Sequence, residues 1–191
     1  MTGRSAMDIP IDVSGIRIET PRLILRAFEE SDLPDFYAYA SVPGVGEMAG
    51  WPHHASIETS REILRSFIDR KDVFALYHKA DHKMVGSLGL HKSWADEDNA
   101  YKALKVKEIG YVLSKAYWGQ GLMLEAVHAV IDYGFGTLGL EAFTCGHFAE
   151  NNQSRRVIEK CGFQFVQHGE YYSEPLQRSF EDVKYILCQA Q

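Results

Sequence analysis

The stretch Glu108–Met123, EIGYVLSKAYWGQGLM, decides how the rest of the chain is understood. It opens as a strand, because Val106, Ile109, Tyr111, Val112 and Leu113 are the β-branched, aromatic and apolar residues that a buried strand uses. It turns through Ser114–Tyr117 into Trp118-Gly119-Gln120-Gly121, and an amphipathic helix follows. Leu122, Ala126 and Val130 form one line of that helix, and Met123, Val127 and Ile131 the next. A strand, a glycine turn and a helix make an anion site. The first helical turn leaves backbone N–H groups unpaired, and the positive end of the helix dipole lies there too. Glycines at 119 and 121 remove side chains that would hold a phosphate off the backbone. Neither a Walker ending nor Gly-x-Gly-x-x-Gly is present, so on this stretch alone a plain tight turn remains open.

The chain has 191 residues, 46% hydrophobic and 24% charged, which predicts one ordinary globular domain with a sizeable core. A net charge of −6 argues against a nucleic-acid partner, whose footprint is a basic patch. Cys145, Cys161 and Cys188 are odd in number and far apart, and no signal-peptide pattern opens the sequence. Reduced thiols in the cytoplasm are expected. No apolar run approaches the ~18 residues that span a bilayer, so no membrane association is expected.

Met1 to Gly15 is unpatterned and is expected to be a loose N-terminal extension, with residues 16–191 as the domain. Arg17–Arg26 predicts strand on either side of Pro21. Ser31 is the expected N-cap of a first helix through Leu33, Phe36, Tyr37 and Tyr39. The Gly- and Pro-rich loop Ser41–His54 carries Met48, Trp51, His53 and His54 as exposed residues. Ser56 caps a second helix with an apolar stripe of Ile57, Ile63, Leu64 and Phe67. Asp72–Lys79 and Lys83–Ser93 form a hairpin, followed by the strand–turn–helix unit, which Gly134, Gly136 and Gly139 end. Then come a strand over Glu141–Ala149, a short helix opened by residues 150–154, and strands at Phe163–Val166 and Glu181–Cys188. Gly169–Ser179 is expected as a connecting, non-core segment. The sum is an α+β domain of about seven strands and four helices.

Several spaced motifs together resemble the GNAT superfamily of acyl-CoA-dependent N-acetyltransferases, in particular its RimJ/RimL-like (ribosomal-protein N-terminal acetyltransferase) branch. They are Glu19-Thr20-Pro21-Arg22-Leu23, Glu108-Ile109-Gly110-Tyr111, Tyr117–Gly121, Glu125-Ala126, Asn151-x-x-Ser154 and Glu159–Phe163. The resemblance covers roughly residues 18–188. In the superfamily the turn reads Gln or Arg, two residues, Gly, one residue, then Gly or Ala. Here Trp118 and Met123 stand at the first and last of those positions, a departure that bears on cofactor orientation.

The resemblance implies a mixed, mostly antiparallel sheet whose central strand bulges and splays from its neighbour, with Gly110 a suitable place for the bulge. It implies that an amine attacks the thioester of acetyl-CoA directly, with no covalent enzyme intermediate and no metal. Expected cofactor contacts are Val112 and Leu113 for the pantetheine arm, Trp118, Gly119, Gln120, Gly121, Leu122 and Met123 for the pyrophosphate, and Asn151 and Ser154 beyond. Glu108 is the expected general base, directly or through water. The tyrosine that many members use as acid is replaced by Ile158. Trp51, His53, His54 and Tyr172 are expected at the acceptor, because aromatic faces beside carboxylates suit an ammonium group. The acceptor is expected to be a primary amine, a peptide α-amine first and a small metabolite second, with a non-catalytic acyl-CoA sensor as the competing class. Monomer and homodimer both remain open.

Overall fold

The computed structural model describes residues 9–190. Its strands are β1 (Arg17–Glu19), β2 (Leu23–Ala27), β3 (Val73–His78), β4 (Lys83–His91), β5 (Val106–Leu113), β6 (Ala142–Phe148), β7 (Gln164–Ser173) and β8 (Arg178–Cys188). The helices are α1 (Leu33–Ala40), α2 (Ile57–Arg70), α3 (Leu122–Gly136) and α4 (Asn152–Lys160). One sheet runs in the order β1-β2-β3-β4-β5-β6-β8-β7, and only β5 and β6 pair in parallel. The fold is the mixed α+β architecture expected, with eight strands in place of about seven.

The eighth strand comes from Thr20-Pro21-Arg22. Thr20 N donates to Leu23 O, and Leu23 N donates back to the Thr20 hydroxyl, so residues 17–27 fold into a hairpin instead of running straight. Gly169–Ser179 is also not a connecting loop. β7 continues to Ser173 and meets β8 from Arg178, although most of its residues are exposed on both faces. Without a buried face it carries no hydrophobic alternation to betray it. Residues 1–8 of the expected extension lie outside the described part. Residues 9–15 are not loose: Val13 is buried, its N–H bonds Lys71 O, and Ile9 and Ile11 pack on the core.

Two further local expectations shift. Ser31 lies inside a 3-10 turn, Glu30–Asp32, and Asp32 does the capping by accepting Glu29 N at 2.9 Å. Arg26 grips both oxygens of that buried carboxylate, at 2.7 and 2.8 Å. Ser56 caps α2 as expected, but Ile63 faces solvent. The buried residue one turn away is Ser60.

Alternation along the strands gives the sheet two covered faces. Leu88, Leu90, Ile109, Phe143 and Cys145 pack against α3 and α4. Val73, Ala75 and Val112 pack with Phe36 and Leu64 of α1 and α2. What positions the site is a defect in this regular plan. β5 pairs with β4 through Leu113, but with β6 only from Val106 to Ile109. From Gly110 onward its second edge is open. The pairing of Gly110 with Gly89 is in register, so this splay needs no bulge there; the irregular steps lie between β3 and β4, at Leu76/Tyr77, and between β7 and β8, at Phe165/Gln167.

Candidate active site

The open edge of β5 forms one wall of a cleft of about 580 Å³, with the start of α3 and the face of α4 as the others. Ser114 N donates to Val85 O, and antiparallel bonding alternates. Val112 N–H therefore turns toward β4, while those of Tyr111 and Leu113 face the cleft. Val112 lines the wall but does not offer the free donor expected of it. Leu113 O is occupied by the Trp118 indole N–H at 2.8 Å.

The turn into α3 is glycine-dependent for a definite reason. Gly119 and Gly121 have φ of 74° and 76°, a left-handed conformation that residues with a Cβ rarely adopt. Ser56 and Asn151 cap α2 and α4 with side chains, whereas Gly121 offers α3 none. The first-turn N–H groups of α3 are thus uncapped at the cleft, which Gly121, Leu122, Met123 and Leu124 line. Gln120 lies outside this lining and bonds back to Ala116 O.

Arg22, at the β1–β2 turn, clamps this unit. Its Nη1 donates to Gln120 O at 2.8 Å and its Nε to Glu125 Oε2 at 2.7 Å. Thr20 Oγ1 and Arg22 N bond the other Glu125 oxygen. Burial would raise the Glu125 carboxyl, but these hydrogen bonds outweigh it and hold it below the usual carboxylate range. Because Arg22 is nearly half exposed, Arg22→Ala should cost only about 1 kcal/mol of stability. It should weaken CoA binding several-fold by loosening the turn. Denaturant unfolding and calorimetry check the two parts.

On the opposite wall, Asn151 Oδ1 accepts Ser154 N, and its Nδ2 donates to Met48 O at 3.3 Å. Ser154 Oγ lies 2.8 Å from Tyr111 OH. Both residues line the cleft, and both already hold structural bonds. Sequence reasoning missed Tyr111 and the cations Arg156 and Lys160, one helical turn apart on the same wall. Their i, i+4 spacing was the available signal.

Glu108 stands two residues before the splay, outside the cleft lining, on the sheet face shared with α1 and α2. Thr144 Oγ1 donates to its Oε2 at 3.2 Å, and Ser93 Oγ meets Thr144 Oγ1 at 2.7 Å. Burial raises its carboxyl above the usual range and Asp182 adds to this, while Thr144, Trp94 N–H and Lys184 pull the other way.

The residues expected at the acceptor scatter. Trp51 is half-buried against His54 and Gly46. His54 is buried, bonds Ser60 Oγ at 2.7 Å and packs edge-on to Phe36. Burial lowers its pKa. His53 is exposed and pairs with Glu47 at 2.8 Å. Tyr172 is exposed on β7. None of the four lines the cleft. From this loop Val45, Met48 and Ala49 do. The loop and the β7–β8 hairpin nevertheless meet: Ser173 Oγ donates to Gly50 O at 2.7 Å, and Tyr171, not Tyr172, crowds Gly50. No group of three or more possible metal ligands occurs among the described residues.

Comparison with known proteins agrees with this geometry. The family described as acetyltransferase (GNAT) domain matches residues 22–164. The uncharacterized N-acetyltransferase YoaA of Bacillus subtilis is 28% identical over 152 residues, 77% of this chain and 82% of that protein. A GNAT-family acetyltransferase structure from Bacillus anthracis superposes with a TM-score of 0.78 at 22% identity, covering 91% of this chain and 98% of the other. RimL, a ribosomal L7/L12 α-N-protein acetyltransferase in complex with coenzyme A, gives a TM-score of 0.71 at 19% identity, covering 90% of this chain and 97% of the other. At these identities the structural likeness is one of fold.

Proposed function

The chain belongs to the GNAT acetyltransferase family and is an acetyl-CoA-dependent N-acetyltransferase, and from that premise we propose which residues do the work and on what amine. The observation that carries the assignment is the open edge of β5 leading onto the uncapped start of α3. Acetyl-CoA runs along this edge. Tyr111 and Leu113 N–H bond the pantetheine arm, and the first turn of α3 with Gly119 and Gly121 receives the pyrophosphate. Arg156, Lys160, Asn151 and Ser154 hold the outer part of the cofactor. The thioester then sits at the apex, next to Gly110.

The acceptor amine arrives on the opposite face of the sheet, where Glu108 takes a proton from the ammonium and the free amine attacks the carbonyl carbon. The binding energy of the long cofactor holds the thioester in line for that attack. The chain acts as one catalytic domain that includes the packed residues 9–15, and the three unpaired thiols suit a reducing cytoplasm.

The acceptor we favour is a peptide α-amine. Met48 and Tyr171 are exposed apolar surfaces on the loop and hairpin that meet at Gly50, and the hairpin also carries Glu170 and Glu174. That mixture fits an ammonium on an extended, partly apolar chain. Likeness to RimL supports it. An acetylation screen across peptide N-termini, aminoglycosides and polyamines should show peptides turned over preferentially. Tyr171→Ala should raise KM for the peptide while leaving KM for acetyl-CoA nearly unchanged. Turnover of small amines and none of peptides defeats the peptide reading.

A further inference from the structure

A second titratable side chain faces the apex of the splay, and neither composition nor motif singles it out. His91, at the end of β4, is the cross-strand partner of Glu108. Its ring lies flat along the sheet over two glycines. A Cβ on Gly89 would come within 2.2 Å of Nε2, and a Cβ on Gly110 within 3.2 Å of Cδ2. A side chain at either position would press on the ring, so the glycines make its seat. Nδ1 is 3.6 Å from Asp72 Oδ2, which fixes the far end of the ring. Asp72 is itself anchored, its carbonyl accepting Leu90 N at 2.9 Å and its carboxylate facing Arg70 at 3.4 Å. Nε2 is thereby carried toward Gly110, the first residue of β5 beyond its pairing with β6. The side chain stays 42% exposed, so the ring is reachable.

We infer that His91 moves the second proton of acetyl transfer, taking it from the nitrogen of the tetrahedral intermediate and giving it to the departing CoA thiolate. This rests on the reading of Glu108 as base and of the splay as the thioester site. The proton count gives such a group a role. An ammonium nitrogen loses two protons on becoming an amide. The first goes to Glu108 and then to solvent. The second leaves as the N–C bond is made, and one proton is needed when the C–S bond breaks. A histidine that accepts the one and supplies the other balances the step and ends unchanged. It also meets the want of an acid where Ile158, fully buried, replaces the tyrosine.

The charged groups that act on His91 are Asp72, Arg70 at the end of α2 and Lys107 of β5, with Glu108 as its cross-strand partner. Burial lowers its pKa most, opposed by Asp72 and assisted by Arg70 and Lys107. The shift favours the neutral ring at neutral pH and makes the protonated ring a better proton donor than a free imidazolium.

The test is the acid limb of log kcat/KM for thiol release, measured with whichever amine of the screen the wild-type enzyme acetylates. Two groups must be unprotonated, so the limb should be one unit of slope steeper in the wild type than in His91→Gln. His91→Gln should also lose roughly 10²-fold or more in kcat/KM with CoA affinity unchanged. Gly89→Ala, which keeps the histidine but displaces its ring, should lower kcat/KM in the same direction. A His91→Gln enzyme with the wild-type rate and slope overturns the inference. Failure of the base reading looks different: Glu108→Gln would then leave rate and slope unchanged while His91→Gln still alters them.

Discussion

Glu108→Gln should lower kcat/KM by roughly 10²- to 10⁴-fold, the span over which general bases contribute. The substitution keeps the shape and the hydrogen bond from Thr144 Oγ1, and removes only the ability to take a proton. The wild-type rate should fall as pH drops through the carboxyl's value, which burial raises above 4.5. In the variant that limb should shift or flatten. CoA affinity should stay close to wild type, because the carboxylate stands outside the cleft. Stability gives an independent check. A carboxyl whose folded pKa is raised contributes stability below its unfolded value, and that contribution is lost as pH rises through the folded value. Glutamine mimics the protonated form, so at neutral pH the variant should melt no lower than the wild type. Near-normal turnover with an unchanged pH profile means that another group, or water, is the base.

The sequence made the strand–turn–helix unit legible because its signals are local: β-branched residues, glycines at fixed offsets and a helical stripe. The same holds for the Ser56 cap and for Asn151, whose side chain caps α4. Motif residues without an evident local purpose gained one only in three dimensions. Thr20 and Arg22 meet Glu125 across about a hundred positions and steady the turn between them. Trp118, which departs from the family's usual residue, spends its indole N–H on Leu113 O.

What stayed hidden depended on pairing. β7 has no buried face and so no alternation. His54 looked like an exposed loop histidine, yet a buried serine on α2 gives it a partner. His91 over Gly89 and Gly110 becomes visible only when β4 is set against β5 in register. Tyr171 and Tyr172 are adjacent and equally aromatic. Strand alternation turns one toward Gly50 and the other away, and this needs β7 to be recognised as a strand.

The central claim is that the uncapped start of α3 receives the pyrophosphate of CoA. Gly121 is its most sensitive point. Apart from Arg22 at 3.7 Å, a Cβ there would meet open space, so the protein itself does not exclude a side chain by collision. The left-handed backbone does, at roughly 1–2 kcal/mol for a residue with a Cβ. The bound phosphate would exclude it as well. Gly121→Val combines both effects. Gly121→Asn separates them, since asparagine tolerates the left-handed region yet brings a side chain that caps the helix N–H groups itself. The direct measurement is calorimetric titration of CoA into the wild type and both variants, each shown to be folded by its unfolding transition. Both variants should bind at least tenfold more weakly, about 1.4 kcal/mol or more, with Asn losing affinity despite near-wild-type stability. Wild-type affinity in a folded Gly121→Asn protein would contradict the assignment.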